Sequence, residues 1–163
     1  MRIFKESQSF RQWWAFLIPG AVFLTIFIQL FREQHIFYGD EINFVLLFAL
    51  TPVVLLTVLI FSLSLNTRID SSGISVGWSP LKFLHRHYSW NEITQCYVRT
   101  YSPLREYGGW GLRAFGKNQA WNVSGKTGIQ IVEKSGKKFL IGTRKPNQAR
   151  QVITRHFNNK TFK

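Results

Sequence analysis

Residues 128–143 read GIQIVEKSGKKFLIGT, and this stretch decides what kind of fold the carboxy-terminal part of the chain adopts. GIQIVE at 128–133 and KKFLIGT at 137–143 are short, rich in β-branched and aromatic residues, and flank KSG, whose Gly136 accepts the positive φ of a tight reversal. That is a β-hairpin. Working outward, turn chemistry recurs every eight to twelve residues and separates further strand-like stretches. These are TRID at 67–70, ISVGWS at 74–79, LHRHYSW at 84–90, ITQCYVRTY at 93–101, GLRAF at 111–115 and AWNV at 120–123. Ser71, Ser72 and Gly73 read as the turn between the first two. Past Lys145 and Pro146 the period changes: in NQARQVITRHF at 147–157, Ala149, Val152, Ile153 and Phe157 fall on one helical stripe, and Pro146 suits a first turn. The expectation for 66–163 is an all-β domain of about seven strands capped by a carboxy-terminal helix over 147–157.

Towards the amino terminus the pattern is different. WWAFLIPGAVFLTIFIQLF at 13–31 and INFVLLFALTPVVLLTVLIFSLSL at 42–65 carry no charged residue. As helices they would be about 28 and 36 Å long, enough for a hydrocarbon core of about 30 Å. The expectation is therefore a two-helix transmembrane hairpin over 13–65 following a flank at 1–12, with Trp13, Trp14, Phe37 and Tyr38 near the interfaces. The connection REQHIFYGDE at 32–41 is acidic, whereas 66–163 holds 17 Lys and Arg against 4 Asp and Glu. The positive-inside bias then puts both termini of this expected multi-pass protein in the cytoplasm. The single cysteine, Cys96, permits no intrachain disulfide and reads as a packed residue.

Several residues carry a resemblance. The strand order with its terminal helix, Trp90-Asn91-Glu92-Ile93, the SPLREYGGWGLR loop at 102–113, AWNVSGKTGIQI at 120–131 and KKFLIGTRKP at 137–146 together resemble the bacterial pleckstrin-homology-like (PH-like) domain of small membrane proteins with two amino-terminal helices. The resemblance implies a PH-like β-sandwich or barrel capped by a helix, in a multi-pass protein of the bacterial inner membrane. It implies no chemistry, since folds host functions without dictating them.

Motifs for catalysis are absent or broken. Gly125-Lys126-Thr127 ends like a phosphate-binding loop, but the first glycine would have to stand at Ala120 and IQIV follows instead of a helix. His85 and His87 alternate on a strand without a third ligand at metal-binding spacing. Asp70, Glu92, Glu106 and Glu133 form no paired-carboxylate pattern. The reading is a non-enzymatic binding module without cofactor or metal.

Positive charge is the remaining signal. Arg105, Trp110 and Arg113 lie in the glycine-rich loop YSPLREYGGWGLR at 101–113, and Lys126, Lys137, Lys138, Arg144 and Lys145 follow in the hairpin region. Together they are the candidate site for an anion or a partner, with the loop presenting guanidinium groups to phosphate or carboxylate. The expected partners are anionic lipid headgroups, a membrane protein or a second copy of this chain. Nucleic acid is disfavoured, because no helix-turn-helix, ribonucleoprotein or zinc pattern accompanies the charge. The alternative reading is an accessory subunit of a transporter or envelope-assembly complex in which the hairpin is the working part.

Overall fold

The computed structural model describes residues 3–10, 17–32, 40–113 and 118–161. They form two compact units, one joining Met1–Ser9 to Ser64–Lys163 and the other comprising Phe10–Leu63.

In the smaller unit, α1 (Leu17–Arg32) packs on α2 (Asp40–Ser62). The membrane hairpin expected at 13–31 and 42–65 is corrected here: among the described residues no helix is long and apolar enough to cross a membrane. The 16 residues of α1 rise only about 24 Å against a hydrocarbon core of about 30 Å. Helix α2 opens on two acidic residues, Asp40 and Glu41, and holds Pro52 inside. The fold class with a transmembrane hairpin and the multi-pass inner-membrane placement with cytoplasmic termini fall with that finding. Trp13, Trp14, Phe37 and Tyr38 lie outside the described residues. Phe23, Leu24, Val54, Leu55 and Leu56 are each more than half exposed.

The larger unit is mostly β, in two sheets. β1 (Phe4–Ser9), β2 (Ser64–Ile69), β3 (Gly73–Ser79) and β4 (His85–Ser89) form an antiparallel meander in that order. β5 (Ile93–Thr100), β6 (Gly111–Arg113), β7 (Asn118–Asn122), β8 (Thr127–Glu133) and β9 (Lys138–Gly142) form a second sheet ordered β5-β8-β9-β7-β6. The expectation of a capped β-sandwich or barrel of about seven strands is thus corrected to nine described strands in two sheets. Two placements differ from the expectation. Phe4–Ser9, read as a flank, is the edge strand of the first sheet, and β7 pairs with β9 in parallel. A one-turn helix, α3 (Pro103–Tyr107), sits inside the glycine-rich loop, and α4 (Pro146–Thr161) closes the chain.

Alternation explains the core. In β2 and β3 the inward positions are Leu65, Thr67 and Ile69, then Ile74, Val76 and Trp78, all buried. The second sheet contributes Trp121, Ile129, Ile131, Phe139 and Ile141. The faces meet where Tyr88 tilts onto Phe139 at 5.3 Å and the Arg86 guanidinium lies over Trp121 and Phe139, 5.2 and 5.1 Å from the ring centroids. Arg86 also donates to Gln119 Oε1, so its charge is not left alone between the sheets. Helix α4 buries Ala149, Val152 and Ile153, packs on β5 and β8, and sets His156 and Phe157 against Trp90.

Strand β1 is fastened through side chains. Glu6, buried, accepts from Thr143 Oγ1 at 2.6 Å and Arg144 N at 2.8 Å, and Gln8 Nε2 donates to Gly142 O at 2.7 Å. Both Glu6 carboxylate oxygens and the Gln8 amide nitrogen thus gain partners in the second sheet or the turn that follows it, which fixes how the two sheets close at this edge.

Candidate functional site

Alternation along β5 puts Tyr97, Arg99 and, one step past the strand, Tyr101 on the face of the second sheet away from the core. Register carries that face across the sheet: Tyr97 stands opposite Gln130, Gln130 opposite Leu140, Leu140 opposite Ala120 and Ala120 opposite Arg113. Lys138 stands opposite Asn118 one row away. Side chains from all five strands therefore converge on one outer face, and the 101–111 loop folds back over it.

The loop is built rather than slack. Pro103 opens α3, where its missing amide costs nothing, and Gly108 closes it at φ 69° in the left-handed region, with its N–H donating to Leu104 O. Glu106 holds the start of the turn by accepting from Ser102 N at 2.8 Å. Tyr107 meets Tyr101 edge to face at 5.8 Å, and these two rings cover Leu140 and Ala120. Beneath them Asn122, fully buried, donates through Nδ2 to Tyr101 OH and accepts at Oδ1 from Gly111 N, both at 2.8 Å. Trp110 Nε1 donates to Gly125 O at 3.1 Å and ties the far end of the loop to the 123–126 turn.

Beside this lid lies a concavity of about 440 Å³ lined by Tyr97, Arg99, Glu106, Tyr107, Asn118, Gln130 and Lys138. Arg99 is its fixed point. Its Nη2 donates to Glu106 Oε2 at 2.7 Å and to Tyr107 OH at 3.2 Å, and its Nε donates to Gln130 Oε1 at 3.0 Å. Burial works against the Arg99 charge, but the hydrogen bond and attraction from Glu106 outweigh it and raise its pKa. The same hydrogen bond holds the Glu106 carboxyl below its usual range, while burial pushes the Tyr107 and Tyr101 phenols up. Both phenols thus stay neutral donors near neutral pH. Lys138 is exposed and, among the described residues, makes no ion pair.

The residues singled out from the sequence are dispersed. Lys138 lines the concavity and Arg113 projects from the same face, half-buried, its Nη2 only 2.9 Å from where a Gly109 Cβ would stand and its Nε without a hydrogen-bond partner among the described residues. Arg105 is exposed on α3, whereas Trp110 is held as a structural tie. Lys126 and Arg144 lie at the 123–126 turn end, where Arg144 Nε donates to Ser124 Oγ at 2.8 Å. Lys137 is exposed at the opposite end, in the β8–β9 turn, and Lys145 is exposed at the start of α4. Arg99, Tyr97, Tyr107, Asn118 and Gln130 were missing from that set. The i, i+2 spacing of Tyr97, Arg99 and Tyr101 on one strand was the available signal for them. No protein-family model, curated protein or solved structure matches the chain.

Chemically the concavity is a donor-rich pocket. Arg99, Lys138, Asn118 and two phenols can donate into it, and its one carboxylate is already engaged by Arg99 and the Ser102 amide. Among the described residues no cluster of His, Cys, Asp and Glu could hold a metal. Cys96 is buried, and burial pushes its thiol up to about 12, which keeps it protonated and poorly nucleophilic near neutral pH.

Proposed function

We propose that the β-rich unit is a non-catalytic binding module that takes a phosphate or carboxylate group, carried on a polar scaffold, in the concavity of the second sheet. The observation that carries this reading is the Arg99 arrangement: a guanidinium locked by three partners beside Lys138, which makes no ion pair among the described residues, with amide and phenol donors around them. Preformed donors of this kind lose little entropy on binding, so an anion gains most of each charge-assisted bond. A lipid headgroup and a free phosphorylated metabolite share this chemistry.

The test is an NMR titration of the full chain with inorganic phosphate, with inositol hexakisphosphate, and with phosphatidylcholine vesicles lacking or containing phosphatidylglycerol. Saturable shifts at Arg99, Lys138 and Tyr107 with the soluble phosphates point to a free ligand; shifts confined to the anionic vesicles point to a headgroup. Lys138→Glu, a change at an exposed position, should weaken either by about tenfold or more. Absence of shifts at these residues in all arms, or indifference to Lys138→Glu, refutes the reading.

A further inference from the structure

The outer face of the first sheet carries a second concavity, an open trough of about 1030 Å³ that the site above does not use. Register sorts its strand residues into two rows. In one, Lys5 stands opposite Arg68, Arg68 opposite Ser75 and Ser75 opposite His87; in the other, Ser7 stands opposite Asn66, Asn66 opposite Gly77 and Gly77 opposite His85. The first row is a basic ridge and the second a floor of small side chains. Gly77 keeps that floor low, because a Cβ there would stand 2.9 Å from His85 Cδ2 and 3.2 Å from Leu84 O. The far wall is the 80–84 loop, which brings Pro80, Leu81, Lys82 and Leu84 to the trough and is held by Trp78 N donating to Leu84 O at 2.9 Å.

Two features ask for a ligand of mixed character. Directly opposed like charges such as Lys5 and Arg68 weaken a strand pair unless an anion lies between or above them. Of the carboxylates on the lining, Asp70 already pairs with Arg68 Nε and accepts from Ser72, while Glu6 turns inward to Thr143 and Arg144, which leaves the lysines. Among the described residues, Lys5 and Lys82 make no ion pair. Besides Lys82, the wall facing this ridge carries the apolar Leu81 and Leu84, from which a bare inorganic anion would gain nothing.

We infer that this trough binds an anionic amphiphile with a single alkyl chain, its acid group on Lys5, Arg68 and Lys82 and its chain along Gly77 against Leu81 and Leu84. A plain hydrocarbon would leave Lys5 and Lys82 uncompensated, and a plain phosphate would leave the wall wet. The amphiphile satisfies both.

The experiment is calorimetry on the full chain with octanoate, decanoate, dodecanoate and dodecyl phosphate, each below its micelle concentration, with dodecyltrimethylammonium and inorganic phosphate as controls. Affinity should rise by about twofold to fourfold per added methylene. Lys5→Gln with Lys82→Gln should weaken dodecanoate by about tenfold or more. Asn66→Trp, at an exposed position in the small-residue row, should block the floor and abolish binding while circular dichroism remains native, and Lys138→Glu should leave binding unchanged. Equal binding of the cationic amphiphile, no dependence on chain length, or dodecanoate binding that survives both Asn66→Trp and the lysine pair would overturn the inference. So would attachment to phosphatidylglycerol vesicles without saturable binding of any monomeric amphiphile, which would replace the trough with a surface contact.

Discussion

Asn122→Ala is the substitution whose cost the structure states most directly. The side chain is fully buried, its amide donates to Tyr101 OH and its carbonyl accepts from Gly111 N, so it joins the lid of the candidate site to the sheet beneath. Each lost hydrogen bond removes about 1 kcal/mol, and a buried donor left unsatisfied adds about 1–3 kcal/mol, so with partial collapse of the small void a loss of about 2–4 kcal/mol is expected. That is a large share of a stability of about 5–15 kcal/mol. Tyr101→Phe removes only one of the two bonds but strands the buried Asn122 Nδ2 donor, so it should cost about 2–4 kcal/mol. The double variant should fall short of additivity by about 1 kcal/mol, because both singles break the same bond. Urea melts of the three variants, followed by near-ultraviolet circular dichroism, measure these differences. Hydrogen exchange at Gly111 should quicken in Asn122→Ala and stay slow in Tyr101→Phe. A loss below about 0.5 kcal/mol for Asn122→Ala, or strictly additive effects, would refute the claim that Asn122 anchors the lid.

Two further predictions rest on the protonation chemistry. The Ser72 hydroxyl and amide, with Arg68, hold the Asp70 carboxyl down to about 2 from 3.8, so the stabilisation this turn gives is present above pH 3.8 and disappears as pH falls through about 2. Carboxyl carbon shifts followed by NMR should show that midpoint, and Ser72→Ala should move it up towards 3.8; an unchanged midpoint would remove the hydroxyl as its main cause. The buried Cys96 thiol, raised to about 12, should resist iodoacetamide at pH 8 and react only on unfolding, as mass spectrometry reads directly. Rapid alkylation of the folded protein would contradict its burial.

The strand pattern from residue 67 onward was legible because alternation and turn residues coincide there: each strand-like stretch overlaps one of β2 to β9, although β2 begins at Ser64, inside the stretch read as a helix, and β7 begins at Asn118. Strand β1 was not legible for a specific reason. Its inward positions are Phe4, Glu6 and Gln8, and two polar residues at inward positions read as solvated chain until their partners at Gly142, Thr143 and Arg144, over 130 residues away, are known. The parallel pairing of β7 with β9 is equally silent, since nothing in NQAWN states which neighbour it takes. At 13–65 hydropathy alone suggested spans, and hydropathy does not fix where a helix begins. For the site, Lys138 and Arg113 were visible as charges, whereas Arg99 became central only once Glu106, Tyr107 and Gln130 surrounded it.

The pairing of β1 with β2 has a consequence for how the chain is divided. Ser9 and Ser64 are register partners at the end of one antiparallel pair, so residues 10–63 are an insertion into the turn of a β-hairpin. Closing a long loop costs only slowly more than closing a short one, which is why a sheet tolerates such an interruption. A fragment cut at residue 66 therefore loses its edge strand and the anchors Glu6 and Gln8, even though it keeps every residue of the second sheet. Excising 10–63 and joining Ser9 to Ser64 through a tight Asn-Gly turn keeps them, and makes the β-rich unit a continuous polypeptide with its first strand restored.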